Sequence, residues 1–598
     1  MKKLKFGVMS TAAALALAGL VSCGSTSKSL TVCVGPNPDT IDPALNSAVD
    51  GATMIIHAFS GITKFVQDGD STKIVPDVAD DAFDYTSDYT TAADGKVTYK
   101  IPLKKDLKWS DGTSYDANAF VYSWNRAASG KLAADYGYMF DVIDGYEECS
   151  ADTTGAAKLN VSASEDGNTL TVVLNNYVPY FGELLAFPTY MPVKESVVEA
   201  NGESWATDAS TYIGNGPMKM VSWTADSSIV MEKNENYYGK DDVTCEKITF
   251  ALSDDDASQL ANFQKGDWQF IDSVPNDQMK TLAADDPDEY FVVGQLGTYY
   301  CCFNINDDTF STIANTEKKR ENVRKALTIM LDRQYIVDEI GQAGQTPANS
   351  FVATGLTDPA GGEFTDHNGV NGDGSGYFDA SEDAVTANQK DAVELIKGAG
   401  FTYDDATGKF TNFPKISYIT NKGTGHVLIA QYIQGVFDKF GISMDVSQQE
   451  WADFLQTRKD GNYSMARNGW LGDYNDPISF LDMWTTGSGN NDIQLGKDEH
   501  KTYAAYSVDL NNDGSIGSDE TGLTWAESYD VLIGKIKAST VPTERFKMMH
   551  NAETLLMSTW TVCPIYNYTD VYMKSSKVKG FYSTPTGFKY FMHTTITE

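Results

Sequence analysis

The segment ARNGWLGDYNDP, residues 466–477, puts Arg467, Trp470 and Asp473 close together, between Gly469 and Gly472 and ahead of Pro477. Opposite charges and a large ring in a stretch that makes a poor helix admit two readings. One is a tight loop that satisfies its own charges; the other is a site for a ligand that carries both charges. As a site, the segment has the needed parts. A carboxylate such as Asp473 holds an ammonium group. Arg467, with Arg458 upstream, offers the planar fork that pairs bidentately with a carboxylate. Gly469 and Gly472 admit close approach of another backbone, and Trp470 can wall a pocket. Such a set suits a zwitterion whose backbone is read by strand-like pairing and whose side chains sit in roomy, wet pockets.

A second constellation is DLNNDGSIGSDE, residues 509–520, which follows the twelve-residue calcium-loop template. Asp509, Asn511 and Asp513 supply oxygens, Gly514 permits the sharp turn, Ser515 offers its carbonyl, Ile516 is the apolar anchor and Glu520 is the closing carboxylate. The competing reading is a solvated acidic loop, because TGLT follows Glu520 and starts no exit helix. A structural calcium ion is the only cofactor expected. The glycine-rich stretch 366–379 fails the same template, since Gly369 falls at its first ligand position. Catalytic signatures are missing: the chain has no HExxH, no GxSxG and no phosphate-binding loop, and its six histidines show no ligand spacing. No enzyme is expected.

The chain that positions these groups is long, 598 residues, and strongly acidic, with a formal net charge of −36. No basic surplus exists to displace phosphate counterions, which excludes nucleic acid as the expected partner. The N terminus carries Lys2, Lys3 and Lys5, then an apolar run to Val21 that is short for a membrane span. It ends in LVSC, which resembles a bacterial lipobox. The expectation is a signal peptide over 1–22, lipidation of Cys23 and a short tether over 23–29, giving an extracytoplasmic protein held on the membrane by acyl chains. The six later cysteines are scattered and show no metal spacing.

Strand and helix patterns alternate along the chain. KSLTVCVG alternates like a strand, KVTYKIPLKKDLKWSDG reads as a strand followed by a turn, TLTVVLNNYVPYF as a strand running into a proline-bearing loop, and NENYYGKDDVTCEKITFAL contains another strand. DANAFVYSWNRAASG reads as a helix with Asp116 at its N-cap and Gly130 near its end, and GHVLIAQYIQGVFDKFG as another, before the strand ISMDVSQQEW. The fold class is α/β.

Separated stretches, in order and over nearly all of the mature chain, resemble the oligopeptide-binding proteins of ABC importers. They include IDPAL (41–45), KWSDGTSYDANAFVYSWNR (108–126), GNGPMKMVSW (214–223), RKALTIMLDRQYIV (324–337) and QQEWADFLQTRKDGNYSMARNGWLGDYNDPISFLD (448–482). The resemblance implies a bilobal, type II periplasmic-binding fold with an additional domain, its discontinuous lobes joined by hinges. Lobe I would be 30–59, 193–296 and 583–598; the extra domain 60–192; lobe II 297–582, with the calcium loop inserted at 509–520. Hinges would lie near Phe59, Val193 and Gly297, with the return near Tyr582.

The resemblance also assigns roles. Asp473 would hold a peptide's amine and Tyr136 would contact the peptide near it. Backbone at Gly469, Leu471, Ala48 and Val49 would pair with the peptide. Arg467, Arg458 and His426 would meet carboxylates of peptides of different lengths, and Trp451 and Trp470 would line side-chain pockets. Some members carry an acid where Ser47 stands, and some a cysteine at Leu471 bridged to the position of Gly297. The implied partners are a short peptide and an ABC permease, with the chain acting as a monomer. Open alternatives are the same fold holding a metal chelate, haem or an oligosaccharide, a peptide-sensing receptor lipoprotein, or a secreted hydrolase.

Overall fold

The computed structural model describes residues 27–69, 71–497, 506–507, 509–511 and 514–597. Cys23 and Asp513 lie outside them. No helix among the described residues is long and apolar enough to cross a membrane.

An eleven-stranded mixed sheet runs through both lobes. At one end Met218–Thr224, Ser228–Lys233, Lys247–Ala251 and Ser29–Cys33 follow in order; at the other lie Met465–Leu471, Ile416–Asn421 and Met444–Gln449. Two long strands join the ends, Tyr290–Phe303 and Val562–Lys574, antiparallel to each other. Their register shifts between Gly294 and Thr298, and a bulge of this kind bends a strand and increases its twist. Val562–Lys574 reaches lobe I at Met573 and Lys574, which pair with Ile271 and Phe270. The return therefore lies earlier than expected: Tyr582 is already past the crossing.

The inserted segment builds its own four-stranded sheet, in which Val97–Pro102 pairs with Thr169–Leu174. Alternation in VTYKIP buries Val97, Tyr99 and Ile101 on one face. Helix Ala117–Ala128 packs nearby, and Asp116 caps it by accepting the Asn118 N–H at 2.8 Å. Trp124 is fully buried and donates its indole N–H to the Tyr190 carbonyl, which seats the helix in the insert.

The segment around Arg467 is a strand, although it contains Gly469. Gly297, Tyr299 and Cys301 pair with Leu471, Gly469 and Arg467, and this ladder outweighs local propensity. On its other edge the strand meets only Tyr418 and Ile419, through Met465 and Ala466. From Arg467 onward, no strand among the described residues covers that edge.

Candidate functional site: a cavity between the lobes

That uncovered edge forms a wall of a cavity of about 1100 Å³. Lobe I contributes Ser47, Ala48, Val49 and Ala52, from the start of helix Val49–Ala58. The insert contributes Tyr136 and Phe187, and lobe II supplies Trp451, Arg458, Arg467 and Asp473 among others. Every residue expected to bind ligand lines this cavity except His426.

Asp473 is 7% exposed. Its carboxylate accepts the Tyr136 hydroxyl at 2.9 Å and the Ser479 hydroxyl at 3.5 Å, while its own N–H donates to Ser479 Oγ at 2.7 Å. No lysine, arginine or histidine among the described residues forms an ion pair with it. Burial pushes its carboxyl well above the ordinary range; the Tyr136 hydrogen bond opposes this and the charge of Asp482 adds to it. Arg467 is its counterpart, 8% exposed, with its guanidinium over the Tyr299 ring at 5.3 Å and no carboxylate partner among the described residues. Its Nε has no hydrogen-bond partner. The cavity thus holds one anion and one cation that do not neutralise each other, and burying unpaired charge is costly. An ammonium group at Asp473 and a carboxylate at Arg467 would relieve both.

Arg458 differs. Its Nε lies 2.8 Å from Asp492, which also accepts the Asn468 amide at 2.9 Å, so its charge is already matched. Trp470 donates its indole N–H to the Ser479 carbonyl and packs 6.2 Å from the Tyr136 ring. Trp451 stacks on Phe454. His426 is displaced from the group: it lines an adjoining chamber and stacks on Tyr299, 5.6 Å between ring centroids. Burial, then the charge of Arg467, hold it well below the usual histidine range, so it carries no positive charge for a carboxylate there. Leu471 and Gly297, linked in the sequence through a cysteine pair found in some relatives, are cross-strand partners.

The insert also grips lobe II directly. Lys459 pairs with Asp135, and Ser47 donates to the same carboxylate at 3.1 Å, which ties three parts of the chain together. Tyr180 stacks on Tyr474 at 4.3 Å, Lys537 reaches Asp141 at 2.6 Å, and the Asn475 N–H donates to Glu183 at 2.7 Å. Sequence reasoning missed these, and it missed Tyr568 on the cavity wall. The alternation of YNYTDVYM would have marked that strand.

The model of bacterial extracellular solute-binding proteins, family 5, matches residues 73–492. The chain belongs to that family. Among family 5 relatives, the oligopeptide-binding protein OppA of Bacillus subtilis is 30% identical over 570 residues, covering 94% of this chain and 91% of its own. The solved Haemophilus influenzae OppA complex with the peptide RPPGFSPFR superposes with a TM-score of 0.77, at 23% identity, over 96% of this chain and 99% of that one. The unliganded open form of the murein tripeptide-binding protein MppA gives 0.58, at 22% identity, over 96% and 99%. Both superpositions show the same fold.

Proposed function

We propose that the chain captures short peptides between its lobes and delivers them to an ABC permease, making and breaking no covalent bond. The observation that carries this reading is the pair of buried, separately unneutralised charges, Asp473 and Arg467, beside an uncovered strand edge. A free peptide presents an ammonium group, a carboxylate and a backbone that seeks strand partners. Likeness to B. subtilis OppA and to peptide-bound H. influenzae OppA supports the same ligand class. Native mass spectrometry of the purified protein tests it. Short peptides with free termini are expected; a sugar, haem or metal chelate would overturn the reading, and Asp473-dependent cleavage of peptides would replace transport with hydrolysis.

The chain acts as a monomer, moving its lobes about the two long strands, and is anchored outside the cytoplasm through Cys23. Cys23→Ser should shift the protein from the membrane fraction to the soluble fraction; unchanged partition would refute the anchor.

The loop 509–520 holds calcium as a structural clip. In support, Asp509 Oδ2 accepts the Gly514 N–H at 2.8 Å, Gly514 takes a φ of +92°, and Glu520 is buried with one oxygen lacking a hydrogen-bond partner. Against it, Lys535 stands 3.5 Å from that oxygen, and the described residues contain no cluster of three metal-ligating side chains. Asp509, Asn511, Ser515 and Glu520, with Asp513, would supply the ligands.

A further inference from the structure

Two spaces adjoin in the groove between the lobes. Next to the cavity of Asp473 and Arg467 lies a second chamber of about 1040 Å³. Four residues face both spaces: Val49, Gln295, Leu471 and Tyr568. Leu471 is wedged in place, since a Cβ on Gly297 or Gly587 would fall 2.3 or 2.8 Å from its methyl carbons. The Tyr568 hydroxyl stands over Gly469, 2.2 Å from where a Cβ would be, and its ring meets Tyr299 and Tyr566 edge-on. Tyr568 also lines a third space, toward Phe65 and Thr586, so it stands where the three spaces meet.

The two chambers differ in charge. In the first, Asp473 and Arg467 balance overall and Arg458 is matched by Asp492. In the second, the lining carboxylates Asp256, Asp272 and Asp570 share one lysine, Lys589, which lies 2.9 Å from Asp272 and 3.2 Å from Asp570. Burial pushes Asp272 up to about 8; Lys589 opposes this and Asp570 adds to it. The other ionisable ring, His426, is held neutral. A further carboxylate entering this chamber finds no spare cation among the described residues, because Lys589 is already held between Asp272 and Asp570.

We propose that Tyr568 and Leu471 set ligand length. This rests on the peptide reading above. With the amine at Asp473, the partition confines the peptide to the first chamber and its carboxylate stops at Arg467. Residues 467–473 span no more than about 20 Å at the rise of a strand, and the arginine side chain takes up part of that, which leaves room for roughly two to four peptide residues. A longer peptide must displace the tyrosine ring and carry its carboxylate into a chamber with no free cation among the described residues.

Calorimetric titration of the full chain with alanine peptides of two to eight residues, as free acids and as C-terminal amides, tests this. The wild type should bind the hexapeptide acid at least about tenfold more weakly than the tripeptide acid, since its carboxylate would be buried without a cation. Amidation should recover part of that loss for the hexapeptide. Tyr568→Ala should narrow the gap to about threefold, most for the amides, while Tyr568→Phe keeps the wild-type profile. Equal wild-type affinity for tripeptide and hexapeptide acids would overturn the inference without any variant. So would an unchanged length profile in a folded Tyr568→Ala. If no peptide of any length binds, the peptide reading itself falls, and the length rule with it.

Discussion

Replacing Asp473 with asparagine should move binding and stability in opposite directions. Asparagine keeps the size of the side chain; its amide oxygen can accept from Tyr136, and its NH2 can donate to the Ser479 hydroxyl, where two carboxylate oxygens now accept from them. What it removes is the one lining carboxylate, among the described residues, that has no cationic partner. Losing one partner of a buried, hydrogen-bonded charge pair costs roughly 2–5 kcal/mol, or about 30-fold to several thousand-fold in Kd. N-acetylation of the ligand should harm the wild type comparably and the variant much less. In the ligand-free protein the sign reverses. The folded-state pKa of Asp473 lies above its unfolded value, so its contribution to stability is greatest below the unfolded pKa and declines as pH rises through the folded one. Asparagine removes that decline, worth roughly 1–3 kcal/mol for a buried group short of partners. The variant should therefore melt higher than the wild type at pH 7, and the difference should vanish near pH 3. Titration calorimetry with free and acetylated peptides, paired with melting curves across pH, reads both effects. If the wild type binds acetylated and free peptides equally, or if the ligand-free variant melts lower at pH 7, the assignment of Asp473 as the amine site is wrong.

Arg467→Gln should weaken free-acid peptides by roughly 2–5 kcal/mol and leave C-terminal amides of the same sequence nearly unaffected, measured by the same titrations. Lys459→Ala should loosen the insert's grip on lobe II. Its pairing with Asp135 is about one-fifth exposed, so a loss of about 0.5–1 kcal/mol is expected, seen as faster peptide release in stopped-flow traces and smaller at high salt. Adding calcium to chelator-treated protein should raise the melting temperature, because an ion bound only by the folded state stabilises it; Glu520→Gln should abolish that rise.

The chemistry of the site was legible where it is local. Arg467, Gly469, Trp470 and Asp473 sit on one strand and the turn after it, so their spacing alone brought the two charges into one neighbourhood. Caps and periodicity marked helix Ala117–Ala128 and the strands around it for the same reason. What stayed hidden depends on distant partners. Lys459 and Asp135 lie 324 positions apart, and nothing in either local segment names the other. Arg458 looked as available as Arg467, but the carboxylate that occupies it, Asp492, comes from a later loop. His426 was read at its helix start, yet only the fold shows that it stacks on Tyr299 and lines the adjoining chamber rather than the cavity of Asp473. The segment 465–471 is a strand because the long strand Tyr290–Phe303 provides a ladder, which local glycine content does not reveal.

The uncovered edge beyond Ala466 has a consequence for the life of the protein outside its transport cycle. A row of unpaired N–H and C=O groups is a template for any extended chain, a second copy of the protein included, and soluble proteins normally blunt such edges with charge, proline or cover. Here the cover is the opposite lobe together with the insert, fastened by Lys459, Tyr180 and Lys537. The fasteners therefore guard against self-association as well as holding cargo, and variants that keep the lobes apart should precipitate sooner on storage than the closed protein, whatever their affinity for ligand.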